Sequence, residues 1–122
     1  MTDRKKTGNA GEALARAHLE QRGYRIERSN YRYRRTEIDL IAWDGDILVF
    51  VEVKTRSSQV FGDPSIFFKP AQRQRISRAA SAYMDEIDYE WEIRFDLIAI
   101  LYRGADDYRL DHYPDVFFPG LH

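Results

Sequence analysis

The most informative hydrophobic pattern lies in residues 37–54, which read EIDLIAWDGDILVFVEVK. Residues 47–53 are apolar at every position except Glu52, which is typical of a strand covered on both faces. Asp44-Gly45 is a strong hairpin signal, because Asp and Gly tolerate the positive φ angles of tight turns. The pattern therefore predicts two antiparallel strands, with Glu52 at the mouth of a buried sheet.

Counting outward from that loop places Asp39 opposite Phe50 and diagonal to Glu52, with Glu37 opposite Glu52. Because side chains alternate faces, four polar groups emerge on one side. They are Glu37, Asp39, Glu52 and Lys54. Close acids repel each other unless a cation neutralises them, so we expect a divalent-metal site with a lysine beside it. The alternative is a solvated strand face that carries these charges by coincidence.

The remaining pattern predicts two helices and two further strands. Residues 9–22 form a helix candidate, and residues 24–30 form a first strand. Residues 57–69 have no clear period and predict a loop long enough to be functional. A second helix begins near Pro70, and residues 92–101 form the last strand. The apolar positions expected to face the core are Ala10, Ala13, Leu14 and Ala17 in the first helix and Ile76, Ala79, Ala80, Tyr83, Met84 and Ile87 in the second.

The predicted order is α-β-β-β-α-β, because the hairpin contributes two strands between the helices. The crossover through the second helix makes the last strand parallel to a neighbour. The expected class is α/β, with a small mixed β-sheet flanked by helices.

Length and composition bound the kind of protein. A chain of 122 residues predicts one domain, residues 1–122. There is no cysteine, so disulfides and thiolate metal ligands are excluded. The opening residues are polar and basic, and no long apolar run follows them. We therefore expect neither a signal peptide nor a membrane span, and a cytoplasmic location.

The formal net charge of -1 conceals a strong asymmetry. Residues 1–78 hold 16 Lys and Arg against 10 Asp and Glu, whereas residues 79–122 hold 3 against 10. A basic half around the acid cluster is what an enzyme acting on a polyanion needs, although an unevenly charged, solvated surface is the alternative. The residues expected to contact phosphates are Arg34, Arg35, Lys69, Arg73, Arg75 and Arg78.

The histidines and one further acid suggest no additional site. His18, His112 and His122 show no ligand spacing among themselves. Asp96 lies in RFDLIAI, which is explained as a buried strand with one paired acid.

Several segments resemble known protein families. Residues 11–12, 37–39 and 51–54 (GE, EID and VEVK) resemble the PD-(D/E)XK core of restriction endonucleases and archaeal Holliday-junction resolvases. GEALARAHLEQRGY, EIDLIA, VFVEVKTR with FGDP, and RFDLIAI are similar to the bacterial YraN-like family over residues 8–113. Two positions depart from that family: Thr36 replaces the usual Gly, and Gln72-Arg73 stands where relatives commonly have Lys-Gln.

The resemblance implies a restriction-endonuclease-like fold and hydrolysis of phosphodiester bonds with Mg²⁺ or Mn²⁺. It implies that Asp39, Glu52 and the main-chain carbonyl of Val53 are metal ligands. Glu12 would reach the same centre from the first helix, and Lys54 would orient the attacking water or stabilise transition-state charge. Without the resemblance, Glu12 is equally explained as an ordinary first-turn acid stabilised by the helix dipole.

The expected substrate is DNA, including branched DNA. A catalytically silent nucleic-acid-binding module and an RNA-directed nuclease stay open as alternatives. The crowded acids favour an enzyme, because a pure binder has no need of groups that repel phosphate. A homodimer is expected through the aromatic segments at residues 89–91 and 116–121.

Overall fold

Seven elements make up the part of the chain that the structure describes. The computed structural model describes residues 2–57 and 69–116, with side chains from residue 7 onward. In chain order the elements are α1 (Thr2–Gln21), β1 (Arg25–Tyr33), β2 (Thr36–Asp44), β3 (Ile47–Arg56), α2 (Pro70–Glu86), β4 (Ile93–Gly104) and β5 (Asp107–Tyr113). Most of the predicted loop at 57–69 and the tail at 117–122 lie outside the described residues.

The strands form one mixed sheet in the order β1-β2-β3-β4-β5. Neighbouring strands are antiparallel, except that β3 and β4 are parallel. Parallel neighbours need a long crossover connection, and α2 lies in the connection between these two strands. The predicted α/β class, with a mixed sheet flanked by helices, is confirmed.

One helix packs on each face of the sheet. On one face, Ile76 and Tyr83 of α2 pack in a cluster with Phe50 of β3. On the other face, Leu19 of α1 packs in a second cluster with Val51 of β3. Successive side chains of β3 thus enter two separate cores, which explains why this strand is apolar at consecutive positions.

The second helix follows the predicted pattern. It begins at Pro70, and its buried residues are Ile76, Ala79, Ala80 and Tyr83. Met84 and Ile87 are partly buried against the same cluster, so the predicted core face of α2 is confirmed. No helix within residues 2–57 and 69–116 is both long and apolar enough to cross a membrane.

The buried face of α1 differs from the prediction. Ala13 and Ala17 are exposed, and the buried row is instead Gly11, Ala15 and Leu19. Small residues occur on more than one side of this helix, so the alanine spacing alone did not select the correct face. The helix also extends well beyond the predicted start, back to Thr2.

Gly11 lets α1 approach β3 closely. A Cβ atom built at Gly11 would lie 2.0 Å from Oγ1 of Thr55 and 3.0 Å from its Cβ. Real Cβ atoms essentially never approach other atoms at the shorter of these distances, so any other residue here would force helix and strand apart. This contact places the residue after Gly11 beside the end of β3.

The hairpin loop lies one residue later than predicted. Asp44 pairs with Ile47, so the loop is Gly45-Asp46 rather than Asp44-Gly45. Gly45 has a φ of 61° at the first loop position, where a type II′ turn requires positive φ and favours glycine. The Asp-Gly signal located the turn correctly but not its central residues.

Because the loop lies one residue later, each residue of β2 faces a residue of β3 two positions further along than predicted. The last paired residues of β2 and β3 are Leu40 and Val51. Continuing this register places Asp39 opposite Glu52, so the predicted pairing of Asp39 with Phe50 is wrong. A shift of two residues preserves the face of every side chain, because the side-chain period is also two.

A fifth strand extends the predicted order to α-β-β-β-α-β-β. β5 pairs antiparallel with β4, which continues to Gly104 beyond the predicted end at residue 101. The first residues of β5 are exposed and polar, as one edge of a sheet permits. This strand therefore lacked the apolar run by which the other strands were recognised.

A buried polar network ties β4 to β5 and α1. Asp96, only 1% exposed, accepts hydrogen bonds from Arg94 at 2.8 and 3.0 Å and from the Asp115 N–H at 3.0 Å. Nε2 of His112 lies 2.8 Å from Asp96, and its Nδ1 lies 3.1 Å from Nε2 of His18. Burial by itself raises the pKa of Asp96, but these hydrogen bonds outweigh it and lower the pKa. The expected paired acid is confirmed.

Replacing Gly11 with Ala should destabilise the protein by about 1–3 kcal/mol, because the new methyl group overlaps Thr55. Urea denaturation of both proteins measures the difference. The matched control is Gly8→Ala in the same helix, where nothing lies within 4 Å of the added atom. That control should raise stability by roughly 0.5–1 kcal/mol. Equal effects at the two positions would contradict the close helix-strand contact.

Candidate functional site

The strands β2 and β3 diverge where the sequence predicts a site. Their paired residues end at Leu40 and Val51. Yet β2 extends back to Thr36, and β3 continues to Arg56 alongside β4. The two strands therefore form a fork, which opens beyond the last pair.

β2 bends at the fork. Ile38 and Ile41 both pack in the cluster that contains α2, whereas Leu40 packs in the cluster that contains α1. Regular alternation would place Ile38 on the same side as Leu40. The alternation is broken between these residues, and Asp39 is the residue between them.

Asp39 is anchored across the fork by the backbone of β3. Its Oδ2 accepts a hydrogen bond from the N–H of Val53 at 2.7 Å. In a regular ladder this N–H would bind the backbone of the neighbouring strand, so the carboxylate substitutes for a ladder acceptor. The N–H and C=O of one strand residue point toward the same neighbour, and the Val53 carbonyl therefore also faces the fork.

Glu52 lies against Asp39, and their carboxyl groups are in hydrogen-bond contact. Burial is the largest influence on Asp39, and the negative charge of Glu52 is the second. Together with Glu12, they raise the pKa of Asp39 to about 8, although the Val53 N–H acts in the opposite direction. Asp39 therefore retains its proton at neutral pH when no cation is bound, because little water is present to screen a second negative charge beside Glu52.

Lys54 lies in β3, on the same strand as Glu52. Its Nζ is 3.1 Å from Oε2 of Glu52. The Lys54 side chain is 25% exposed and that of Glu52 is 15% exposed, so both ends of this ion pair are largely shielded. Glu37, further along β2, is exposed and lies in register with Arg32 of β1.

Glu12 reaches the same region from α1. Its charge acts on Asp39, and its two carboxylate oxygens accept hydrogen bonds of 3.3 Å from Nδ2 of Asn30. The preceding residue, Gly11, packs on Thr55 next to Lys54. Three elements, α1, β2 and β3, thus bring one acid each to the fork.

The donor set fits a hard divalent cation. Within residues 2–57 and 69–116, no group of three or more His, Cys, Asp or Glu side chains is arranged so that it could hold a metal ion. Mg²⁺ needs no such group, because it is held by one or two carboxylates and keeps several waters. Asp39, Glu52 and the Val53 carbonyl are oxygen donors that could hold such an ion, and the repulsion between the two acids favours a cation between them.

The basic residues predicted to contact phosphates fall into two groups. Arg34, in the turn between β1 and β2, lines one shallow groove together with Arg78 of α2. Arg73 lies one turn before Ile76, and Ile76 lines a small cavity with Glu52. The structure thus places Arg34 and Arg78 in one groove, and Arg73 one turn from a residue that lines a cavity with Glu52.

The other three basic residues, Arg35, Lys69 and Arg75, are exposed and line neither the groove nor the small cavity. Within the described ranges, none of the six predicted residues forms an ion pair with a protein acid. Their charges are therefore available to an anionic ligand.

Sequence reasoning missed Asn30 at the fork and the histidine pair of the buried network around Asp96. Asn30 binds Glu12 and lies in β1 with a φ of 53°, which is unusual inside a strand. Asparagine is the non-glycine residue that best tolerates this conformation, but a single Asn gives no usable signal in the sequence. The contact between His18 and His112 was also missed, because these residues are 94 positions apart.

A mixed sheet between two helices, with acids from three elements and a lysine at the point where two strands diverge, is a restriction-endonuclease-like core. The chain belongs to the family described as Uncharacterised protein family UPF0102, whose model matches residues 11–100. The YraN-like resemblance is thereby confirmed.

Similar proteins match the chain over most of its length. A UPF0102 protein of Flavobacterium psychrophilum is 41% identical over 118 residues, which cover 97% of this chain and 98% of the relative. Another from Chlorobaculum tepidum is 41% identical over 119 residues, covering 93% and 92%. A third, from Chlorobium phaeobacteroides, is 44% identical over 116 residues, covering 90% and 91%.

The raised pKa of Asp39 predicts a pH dependence of stability. Between the ordinary pKa of 3.8 and about 8, the native protein retains a proton that the unfolded chain releases. The free energy of unfolding should therefore fall as the pH rises from 4 to 8 in the presence of a chelator. Asp39→Asn should reduce this slope and be more stable than the wild type at pH 8, as measured by urea denaturation at successive pH values.

The control is Asp106→Asn, which changes an exposed acid in the turn after β4. It should leave the pH dependence of stability unchanged. If Asp39→Asn follows the same pH curve as the wild type, the charge repulsion inferred at the fork is absent.

Proposed function

We propose that this protein is a metal-dependent endonuclease that hydrolyses phosphodiester bonds in DNA. The observation that carries the proposal is the largely buried Asp39–Glu52 pair, with Lys54 3.1 Å from Glu52 and the Val53 backbone turned toward the same fork. Close, shielded carboxylates destabilise a protein unless they serve a cation. A lysine at the same place is suited to a reaction in which negative charge develops.

Asp39, Glu52 and the carbonyl of Val53 would hold Mg²⁺ or Mn²⁺ in this site, with Glu12 close enough to contribute charge. When bound, the metal ion supplies a more acidic water and neutralises charge on a phosphate. The protein's own contribution is to present hard oxygen ligands in one fixed place, because the Val53 N–H restrains Asp39.

Lys54 carries the remaining catalytic role in the proposal. In the free protein its ammonium group pairs with Glu52. While Glu52 would help to hold the metal ion, Lys54 would orient the attacking water or stabilise charge on the scissile phosphate. A flexible point charge with three donors suits both tasks.

The basic residues would hold the sugar-phosphate backbone. Arg34 and Arg78 share a groove, and Arg73 lies one turn before a residue that lines a cavity with Glu52. Lys69 and Arg75 would add exposed positive charge at the start of α2. Arg35 adds charge next to Arg34 in the same turn. Contacts of this type bind phosphates without reading bases, so branched DNA and RNA are both chemically acceptable ligands.

A homodimer and a cytoplasmic location belong to the same proposal. Trp91 is 74% exposed, and Tyr89 packs edge-on against Trp43 beside it. Two copies meeting through such an apolar surface would present two sites to one branched substrate. The second predicted contact segment falls mostly at residues 117–122, outside the described residues.

A cleavage screen tests the proposal. The purified protein should cut at least one substrate among single-stranded, duplex, flapped and four-way DNA and RNA when Mg²⁺ or Mn²⁺ is present, and none with chelator. Asp39→Ala, Glu52→Ala and Lys54→Ala should each lower the rate by about 100-fold or more, because each removes transition-state stabilisation. Asp106→Ala, an exposed acid in the turn after β4, is the control and should cleave normally.

The screen separates the proposal from its alternatives. Cleavage of RNA alone would establish an RNA-directed nuclease. Tight binding without cleavage of any substrate would favour the silent binding module. If Lys54→Ala cleaves at the wild-type rate, the role assigned to Lys54 is wrong.

The basic groove predicts salt-dependent binding. Affinity for duplex DNA should fall steeply with salt, and Arg34→Glu or Arg78→Glu should each reduce the slope of log K against log[salt] by about 1. Fluorescence anisotropy at several salt concentrations measures these slopes. Arg22→Glu, an exposed arginine just after the end of α1, is the matched control and should leave the slope unchanged. Binding that does not vary with salt would contradict a phosphate-binding surface.

A further inference from the structure

Asn30 occupies an unusual position in β1. Its φ of 53° lies in the left-handed region, although it stands in the interior of a strand. Its neighbours Ser29 and Tyr31 pair with Leu40 and Ile38 of β2. The same register places Asn30 across from Asp39, at the point where β2 bends.

The side chain of Asn30 contacts Glu12 of α1. Nδ2 donates to both carboxylate oxygens of Glu12, at 3.3 Å each. The amide must present its nitrogen to Glu12, since its oxygen would be repelled by the carboxylate. Within the described residues, Asn30 is the only hydrogen-bond partner of the Glu12 side chain.

Glu12 needs such a restraint to stay near the fork. Its side chain is only half-buried, and the negative charges of Glu12 and Asp39 disfavour each other. A glutamate in this position gains rotamer entropy and relief of repulsion by turning into water. The hydrogen bonds from Asn30 oppose that movement without adding charge.

We propose that Asn30 is a positioning residue that holds Glu12 toward the Asp39–Glu52 pair, so that Glu12 contributes to binding the divalent cation. The proposal rests on the metal site of the proposed function. Asn30 acts through Glu12 and has no direct contact with the cation. With its left-handed backbone, Asn30 presents its side-chain amide to Glu12 of α1.

The left-handed conformation provides a clean test variant. Asn30→Gly retains the backbone conformation, because glycine adopts positive φ without strain, and removes only the amide group. The variant should therefore melt within a few degrees of the wild type. Asp88→Gly is the matched control, since Asp88 is an exposed residue with a φ of 54° just beyond the end of α2.

Calorimetric titration with Mn²⁺ measures the effect on the metal site itself. Asn30→Gly should weaken Mn²⁺ binding by about 10-fold, the lower range for loss of a residue that orients a metal ligand. Asp88→Gly should bind Mn²⁺ as the wild type does. Wild-type affinity in Asn30→Gly, or no Mn²⁺ binding by the wild type, would overturn the proposal.

A double-mutant cycle shows whether Asn30 acts through Glu12. Glu12→Gln should weaken Mn²⁺ binding, and adding Asn30→Gly to it should cause no further loss. Losses that multiply in the double variant would mean that Asn30 acts independently of Glu12, which contradicts the proposal. Coupled losses in a protein that cuts no substrate would support the positioning role while rejecting the endonuclease. Normal cleavage with uncoupled losses would do the reverse.

Discussion

The divergence of β2 from β3 is the constraint on which the rest of the site depends. Beyond the pair Leu40–Val51 the ladder stops, and the N–H of Val53 needs an acceptor. A buried N–H without a partner costs about 1–3 kcal/mol. Asp39 supplies the acceptor at 2.7 Å, so the bond that completes the backbone of β3 also holds an acid inside the fork. One hydrogen bond thus both satisfies the backbone of β3 and fixes the position of Asp39.

The residues at the fork lower the stability of the protein when no cation is bound. Acids from α1, β2 and β3 converge there, and burial with the charge of Glu52 raises the pKa of Asp39 to about 8. Lys54 offsets part of this charge through Glu52 alone. Two further positions are constrained. Position 11 has no room for a side chain, and Asn30 has a left-handed backbone inside a strand. Several destabilising features in one small region are typical of a site retained for function rather than for stability.

Sequence reasoning succeeded where one local rule was sufficient. The consecutive apolar residues of β3 predicted a strand between two cores, and α2 buries the residues expected from its helical period. The hairpin register was predicted wrongly by two residues, and an even shift preserves faces. Asp39 and Glu52 are still neighbours, although the alternation of β2 is broken at Asp39. Prediction failed for β5, whose exposed edge carries no apolar run, and for α1, where small residues occur on more than one face.

The sequence by itself determined most of the element types, the mixed sheet and the hairpin residues Asp39, Glu52 and Lys54, because period and turn chemistry act over short distances along the chain. Glu12 was indicated only by the resemblance to a known family. Only the tertiary structure decided how these residues meet. The bend of β2, the contact of Gly11 with Thr55 and the reach of Asn30 to Glu12 each join residues from different elements. Their geometry depends on how closely helix and strands pack, and no local pattern in the chain records that distance.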